Sequence, residues 1–347
     1  MSVIELCERG LIPDALARLG MRRMIAQRLV DECAGDGEAR SRRHLALVQE
    51  LRQSPIAINT QDANAQHYEV PAGFFHRHLG PRLKYSSCFY ETGQETLAQA
   101  EEAMLSLYAQ RAGLQDGMRI LDLGCGWGSL SLWLAEKYPR SQIVGLSNSV
   151  GQREFIQARA QERGLGNVRA LTGNVAEFDF PNDGVAAGFD RVISIEMFEH
   201  MRNYAALLAK IARWLNRDGR LFVHIFAHKL LAYPFEVKDV SDWMTQYFFS
   251  GGLMPSESLL LNFQDDLKAV GQWWVSGVHY ERTSNHWLAG MDANKAAILE
   301  IFRKFYGEKD AAVWFQRWRM FYMGVAEFFG YANGNEWGVA HYLLMPR

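Results

Sequence analysis

Leu121-Asp122-Leu123-Gly124-Cys125-Gly126-Trp127-Gly128-Ser129 is the stretch on which the fold of this chain turns. The short apolar run Arg119–Leu123 leads into it, and the helical pattern LSLWLAEKY (130–138) leads out of it. Strand, glycine turn and helix start make a cradle. Gly124 and Gly126 let the backbone turn tightly and come close to a ligand, and the helix that follows presents unpaired N–H groups. A nucleotide-like ligand fits there. A dinucleotide fingerprint would set a third glycine at 129, where Ser stands, and an acid near the end of the second strand. No Asp or Glu occurs from Tyr138 to Arg153. The pattern D-x-G-x-G-x-G therefore points away from a nicotinamide cofactor.

Outward from the turn, apolar runs recur at Gln142–Leu146, Val168–Thr172, Phe189–Ile195 and Arg220–Phe226, separated by helical stretches. That spacing suits βα units, because a parallel sheet needs a crossover helix between strands and its doubly buried strands read as continuous apolar runs. Gln272–His279 and Gly338–Leu344 would extend the sheet. Residues 1 to about 55 repeat apolar positions such as Leu16, Leu19, Met24, Ile25 and Leu29 at helical spacing, which suggests a cap. The expected division is a helical cap over 1–100 and an α/β domain over 101–347. Within the latter, residues 227–265, rich in aromatics and Met, form an insertion over the carboxyl ends of the strands, where ligands bind in such folds.

Composition narrows the class. Lys plus Arg number 37 against 39 Asp plus Glu, so no global charge steers the chain to nucleic acid or anionic membranes. With 48% hydrophobic and 22% charged residues, disorder and a coiled-coil rod are excluded. Cys7, Cys33, Cys88 and Cys125 lack CxxC spacing, so neither a disulfide scaffold nor a zinc knuckle is expected, and a cytoplasmic location is. The start lacks an apolar core and no run of 18 apolar residues occurs, so neither a signal peptide nor a membrane span is expected. The aromatic excess of 20 Phe, 13 Tyr and 10 Trp suits a large core and an apolar or cation-binding pocket.

The turn LDLGCGWGSL resembles the S-adenosylmethionine loop of class I methyltransferases, and more narrowly that of the cyclopropane fatty acid synthase and coclaurine N-methyltransferase superfamily. YSSCFY (85–90), GLSNSVGQ (145–152), FDRVISIEMFEHMRNY (189–204) and HYERTSNHW (279–287) resemble further blocks of that superfamily, over roughly residues 67 to 345. The resemblance implies an α/β fold with a Rossmann-like seven-stranded sheet, and S-adenosylmethionine as cofactor. It places Gly124 and Gly126, with Asp122 in the same turn, beside the methionine part. Tyr85, Ser86 and Ser87 would close over it, Asn148 and Gln152 would take the ribose, and Asn174 and Val175 would flank the adenine. From the residues alone, Asn148 and Asn174 also read as ordinary turn chemistry.

The fourth apolar run ends in Glu196-Met197-Phe198-Glu199-His200. If a helical turn follows, Glu196 lies at i,i+3 to Glu199 and i,i+4 to His200, so the three share a face, shift one another's pKa and suit proton abstraction. A helical zinc motif needs a second His, so no metal is expected. The bland reading has these residues capping a helix and pairing with Arg202. By resemblance, plant N-methyltransferases share Glu196 and His200 and use them to deprotonate the amine, whereas cyclopropane synthases more often have Gly at 196. The latter hold an active-site bicarbonate with a Cys, a Glu, a His and a Tyr, which fall here on Ser87, Glu199, His224 and Tyr280. Read without the resemblance, His224 in LFVHIF is a hydrogen-bonded core residue and His228 is structural or on the surface.

Three functions stay open. The first is N-methylation of a small amine, favoured by similarity outside the site. The second is methylation or cyclopropanation of unsaturated phospholipid acyl chains, with peripheral membrane contact through Arg18, Arg22, Arg23, Arg28, Arg40, Arg42 and Arg43. The third is a non-catalytic cofactor-binding homologue, against which Glu199, His200, His224 and Tyr280 argue. In either catalytic case Trp243, Tyr247, Phe248, Trp274 and Trp287 are candidates to stabilise a cation. A homodimer is also open.

Overall fold

The computed structural model describes residues 2–58, 70–180, 186–237 and 242–347. The chain begins with α1 (Val3–Glu8), α2 (Asp14–Glu32) and α3 (Gly37–Gln53), and α4 (Leu97–Ala112) leads to the sheet. The sequence dictates both ends of α4: Thr96 and Gln99 form a reciprocal capping box, and Gly113 closes the helix in the left-handed region. Then come β1 (Arg119–Leu123), α5 (Ser129–Lys137), β2 (Gln142–Ser147), α6 (Val150–Glu162) and β3 (Val168–Thr172). They are followed by β4 (Phe189–Ile195), α7 (Tyr204–Trp214) and β5 (Leu215–His228).

Four of the five expected strands start where the apolar runs do, because each supplies both layers of core. Ile120 and Ile193 pack on one face of the sheet, and Leu121, Leu123 and Val192 on the other. β5 starts earlier, at Leu215, and reaches His228. Ala227 and His228 thus belong to the sheet, paired with Gly338 and Trp337, rather than to the insertion. Within the expected insertion, β6 (Tyr233–Pro234) and β7 (Leu253–Met254) form a separate two-stranded sheet, flanking the helical turn Trp243–Phe248.

Beyond this lie β8 (Leu267–Ser276), α8 (Gly277–Ala293), α9 (Lys295–Tyr306), α10 (Ala311–Gly330) and β9 (Trp337–Pro346). The main sheet has the order β3-β2-β1-β4-β5-β9-β8, parallel through β5 and antiparallel for β9 and β8. The expected strand Gln272–His279 is corrected here. It begins at Leu267 and stops at Ser276, whose hydroxyl accepts from the Val278 N–H to cap α8. A Cβ at Gly277 would come within 2.1 Å of the Phe329 carbonyl oxygen, so only glycine admits this sharp entry. His279 and Tyr280 consequently ride on a helix.

α1 and α2 pack against α10. Arg18 and Arg22 reach Glu327 at 2.8 and 2.5 Å, Arg28 reaches Asp242 at 2.7 Å, and Arg319 of α10 reaches Asp14 at 2.7 Å. Three of the arginines expected to face anionic lipid are therefore paired with carboxylates of the chain itself. Arg42 pairs with Glu38, and Arg43 donates to the carbonyls of Glu32 and Ala34. Among the described residues no helix is long and apolar enough to cross a membrane.

Candidate active site

The glycine turn is tied to the end of β2, since Gly124 N–H and Cys125 N–H both donate to the Leu146 carbonyl at 2.9 and 3.1 Å. Gly126 has φ +51°, and a Cβ there would meet no protein atom within 4 Å. A side chain would instead project into open space at the junction of two cavities, both of which this residue borders. At the start of α5 the Ser129 hydroxyl is buried without a hydrogen-bond partner and lines one of the cavities. An open glycine cradle with an orphaned hydroxyl at a helix start fits a polar ligand reaching the turn.

Asp122 is buried and accepts from the Ser131 hydroxyl at 2.6 Å, and burial pushes its carboxyl up to about 7. The folded chain therefore holds a proton here that the unfolded chain releases near 3.9, so this group's contribution to stability falls as pH rises from about 4 to 7. Replacing Asp122 with Asn should remove that slope. The midpoint of thermal unfolding, followed from pH 4 to 8, should drop less in the variant than in the parent chain, and parallel curves would count against a protonated Asp122.

One cavity is lined by Asn148, Gln152, Asn174 and Val175, the residues assigned to ribose and adenine. Gln152 is fixed there by the Ser147 hydroxyl at 2.6 Å. Asn174 Oδ1 accepts from Ala176 N–H at 3.0 Å, so the turn chemistry read from the sequence is present as well. The other cavity receives Tyr85, Ser86, Glu196, Glu199, His200 and Tyr280. Gly124, Gly126, Gln152, Glu196 and His200 border both, which makes the two one continuous site.

The expected shared helical face does not form. Glu196 has φ +46°, outside the helical region, and the 3-10 turn covers only Phe198–His200. The carboxylate is instead aimed into a ring of donors. Ser87 N–H donates to Oε1 at 2.9 Å, His224 Nε2 lies 3.0 Å from the same oxygen, and Tyr280 Oη donates to Oε2 at 2.7 Å. A non-glycine residue at positive φ costs about 1–3 kcal/mol and persists only when its surroundings over-determine it; three hydrogen bonds do so here. Ser87 is thus placed differently from its expected part in closing over the cofactor. Its hydroxyl turns to the Cys88 carbonyl at 3.3 Å, and its backbone holds Glu196.

Glu199 lies beside Glu196 in an unlike setting. It is 2% exposed, lines the cavity, and its Oε2 has no partner. Burial raises both carboxyls; Lys84, the Ser87 N–H and Tyr280 offset part of that rise at Glu196, which still lies above the usual range. Glu199 has none of these and is pushed well above the usual range by burial and by the neighbouring Glu196 anion. The two surroundings separate the proton affinities, so that Glu196 gives up its proton before Glu199 does. His200 stacks on Phe249 with ring centres 5.8 Å apart. Arg202 reaches the Gly252 carbonyl rather than Glu199, so the bland capping reading does not describe this turn.

Of the aromatics proposed for cation contact, Trp287 lines the cavity, together with Phe226, Phe249 and Phe321, which sequence reading did not single out. Phe248 stacks on Phe321 at 4.3 Å, Tyr247 packs under Arg317, and Trp274 covers Gly338. Lys84 was missed as well. It is buried, donates to the Ser86 hydroxyl and the Ser87 carbonyl at 2.6 Å each, and stabilises the loop that holds Glu196. His228 accepts from Leu230 and Leu231 N–H, as a structural residue should.

Against known proteins, residues 57–332 match the family model described as mycolic acid cyclopropane synthetase. The chain belongs to this family. Its class is that of the S-adenosylmethionine-dependent methyltransferases, and the chain is an enzyme of that class with their seven-stranded fold. A coclaurine N-methyltransferase of Thalictrum flavum subsp. glaucum is 39% identical over 100% of this chain and 96% of its own length. The cyclopropane-fatty-acyl-phospholipid synthase of Escherichia coli K12, a family relative, is 31% identical over 64% of this chain and 54% of its own length. A crystal structure of a coclaurine N-methyltransferase bound to N-methylheliamine and S-adenosylhomocysteine superposes with a TM-score of 0.94 at 38% identity, covering 99% of this chain and 98% of that one.

Proposed function

We propose that this chain transfers the methyl group of S-adenosylmethionine to the nitrogen of a small amine. The observation that carries the reading is the position of the Glu196 carboxylate, which fills the space between Ser87, His224 and Tyr280. Those three positions are ones that the resemblance to cyclopropane synthases gives to a bicarbonate. Here the protein supplies its own anion, so none need be bound. Similarity to N-methyltransferases over the whole chain, against two thirds of it for the acyl-chain enzyme, supports the same branch.

In this reading Gly126, Gln152, Asn148, Asn174 and Val175 hold the cofactor, which when bound supplies an electrophilic methyl group. Glu196, the more acidic of the two carboxyls because Lys84, the Ser87 N–H and Tyr280 favour its charge, attracts the charged nitrogen of the substrate. Glu199, with an unpartnered oxygen, takes the proton so that the nitrogen lone pair is free to attack. His200 lies between the two cavities and its ring, stacked on Phe249, shapes the substrate's approach. Trp287, Phe226 and Phe321 exclude water and favour a cation by their faces. Tyr85 and Ser86 from the N-terminal 100 residues and Phe249 from the insertion cover the site.

The test uses cofactor labelled in its methyl group, offered with heliamine, the amine whose N-methyl derivative occupies the related structure, and separately with vesicles of unsaturated phospholipid. Label is expected in the amine alone. Transfer to the acyl chains would overturn the reading. A second check removes the internal anion: Glu196→Gly should lose most activity and regain part of it when acetate or bicarbonate is added, since either can occupy the vacated ring of donors. Absence of rescue with the variant still folded would mean that Glu196 does more than stand as an anion.

A further inference from the structure

The antiparallel register of β5 and β9 sets His224 directly opposite His341. Both rings are fully buried, and they are joined end to end. His341 Nε2 lies 2.9 Å from His224 Nδ1, and His224 Nε2 lies 3.0 Å from Glu196 Oε1. The outer end of the row is Arg111, in the last turn of α4, whose Nη1 lies 2.5 Å from His341 Nδ1. Its guanidinium is held over the Trp273 ring at 5.1 Å. Burial, Arg111 and Lys84 all oppose a second proton on either ring.

A guanidinium has N–H donors and no acceptor, so it fixes the direction of every bond in the row. His341 must accept at Nδ1, and being neutral it carries its proton on Nε2. His224 must then accept at Nδ1 and carry its proton on Nε2, which faces Glu196. Tyr108 Oη, 3.0 Å from the same Nδ1, shares that nitrogen's single lone pair with the His341 N–H. We infer that Arg111 and His341 are positioning residues that lock His224 in the tautomer whose Nε2–H is permanently donated to Glu196. The inference rests on the reading of Glu196 as the internal anion. The row is not an exit path for protons, because its outer end has no lone pair to receive one. The proton taken from the substrate leaves from Glu199 through the cavity.

The experiment is nitrogen NMR of the full chain labelled at its histidine rings, in which a protonated and a bare ring nitrogen give distinct shifts, with His341→Gln used to assign the pair. The parent chain is expected to show both residues protonated at Nε2. Arg111→Leu, at a half-exposed position and checked for folding by thermal unfolding, frees His341 to take the other tautomer, so that Glu196 faces a bare nitrogen part of the time. The acid limb of 1/KM for heliamine, which follows the Glu196 anion that attracts the substrate rather than Glu199, should then move up by about one pH unit, a tenfold loss of binding on the acid side. Arg111→Lys, also a donor without an acceptor, should restore the parent tautomers and profile. A proton on His341 Nδ1 in the parent chain, or an Arg111→Leu variant with unchanged spectrum and unchanged profile, would overturn the inference. Heliamine left unmethylated by a chain with the expected tautomers would instead count against the amine reading, since the spectrum needs no substrate.

Discussion

Glu199→Gln is expected to slow methyl transfer to the amine by about 10²–10⁴-fold, the usual cost of losing a general base, with cofactor affinity little changed. The separation of effects follows from where the side chain sits. Glu199 lines the cavity shared with Tyr280 and Trp287, and is absent from the lining on the Asn148 and Asn174 side. Glutamine keeps the size and loses the proton affinity, so packing against the 3-10 turn should survive. The acid limb of the pH profile should also lie above the ordinary carboxylate range near 4.3, because burial and the adjacent Glu196 hold the Glu199 carboxyl well up. Single-turnover rates and calorimetric titration of the cofactor give the two readouts independently. Full turnover in the variant would reduce Glu199 to a structural residue.

The second large effect is expected on binding. Gly126→Val should weaken cofactor affinity by about 100-fold or more, equivalent to about 2.8 kcal/mol, because both γ-methyl groups would enter space that no protein atom occupies. The same change places a β-branched residue at φ +51°, which costs about 1–2 kcal/mol of stability. These contributions are separable: stability is measured without cofactor, affinity by titration of the folded variant. Gly126→Ala should show the stability loss with a smaller loss of affinity. Equal affinity in the valine variant and the parent chain would mean that the cofactor does not approach this turn.

The sequence alone carried the sheet's parallel half, since a doubly buried strand must be apolar along its length and βα spacing leaves its mark as a period. It also carried the glycine cradle, whose conformation few residues except glycine adopt. Glu196, Glu199, His200, His224 and Tyr280 do converge. What it misjudged depended on backbone direction at single residues. Glu196 was placed on a helical face with Glu199 and His200, but its positive φ is imposed by Ser87, His224 and Tyr280, which lie 109, 28 and 84 residues away. No local pattern can encode a conformation held by such distant donors. The end of β8 at Ser276 was missed for a related reason, because Gly277 is required by the carbonyls of Phe329 and Trp337 rather than by its neighbours.

His341 and Arg111 show the same boundary from the other side. His341 sits in GVAHYLLM much as His224 sits in LFVHIF, a lone imidazole in an apolar strand. That pattern states that a buried polar group needs a partner, and nothing more. Which partner, and which nitrogen bears the proton, was decided by the register of β5 against β9 and by the guanidinium at the end of α4. Composition and period determine what is buried; only the tertiary structure determines what each buried polar atom faces, because hydrogen bonds between strands and helices far apart in the chain exist only once those elements have packed.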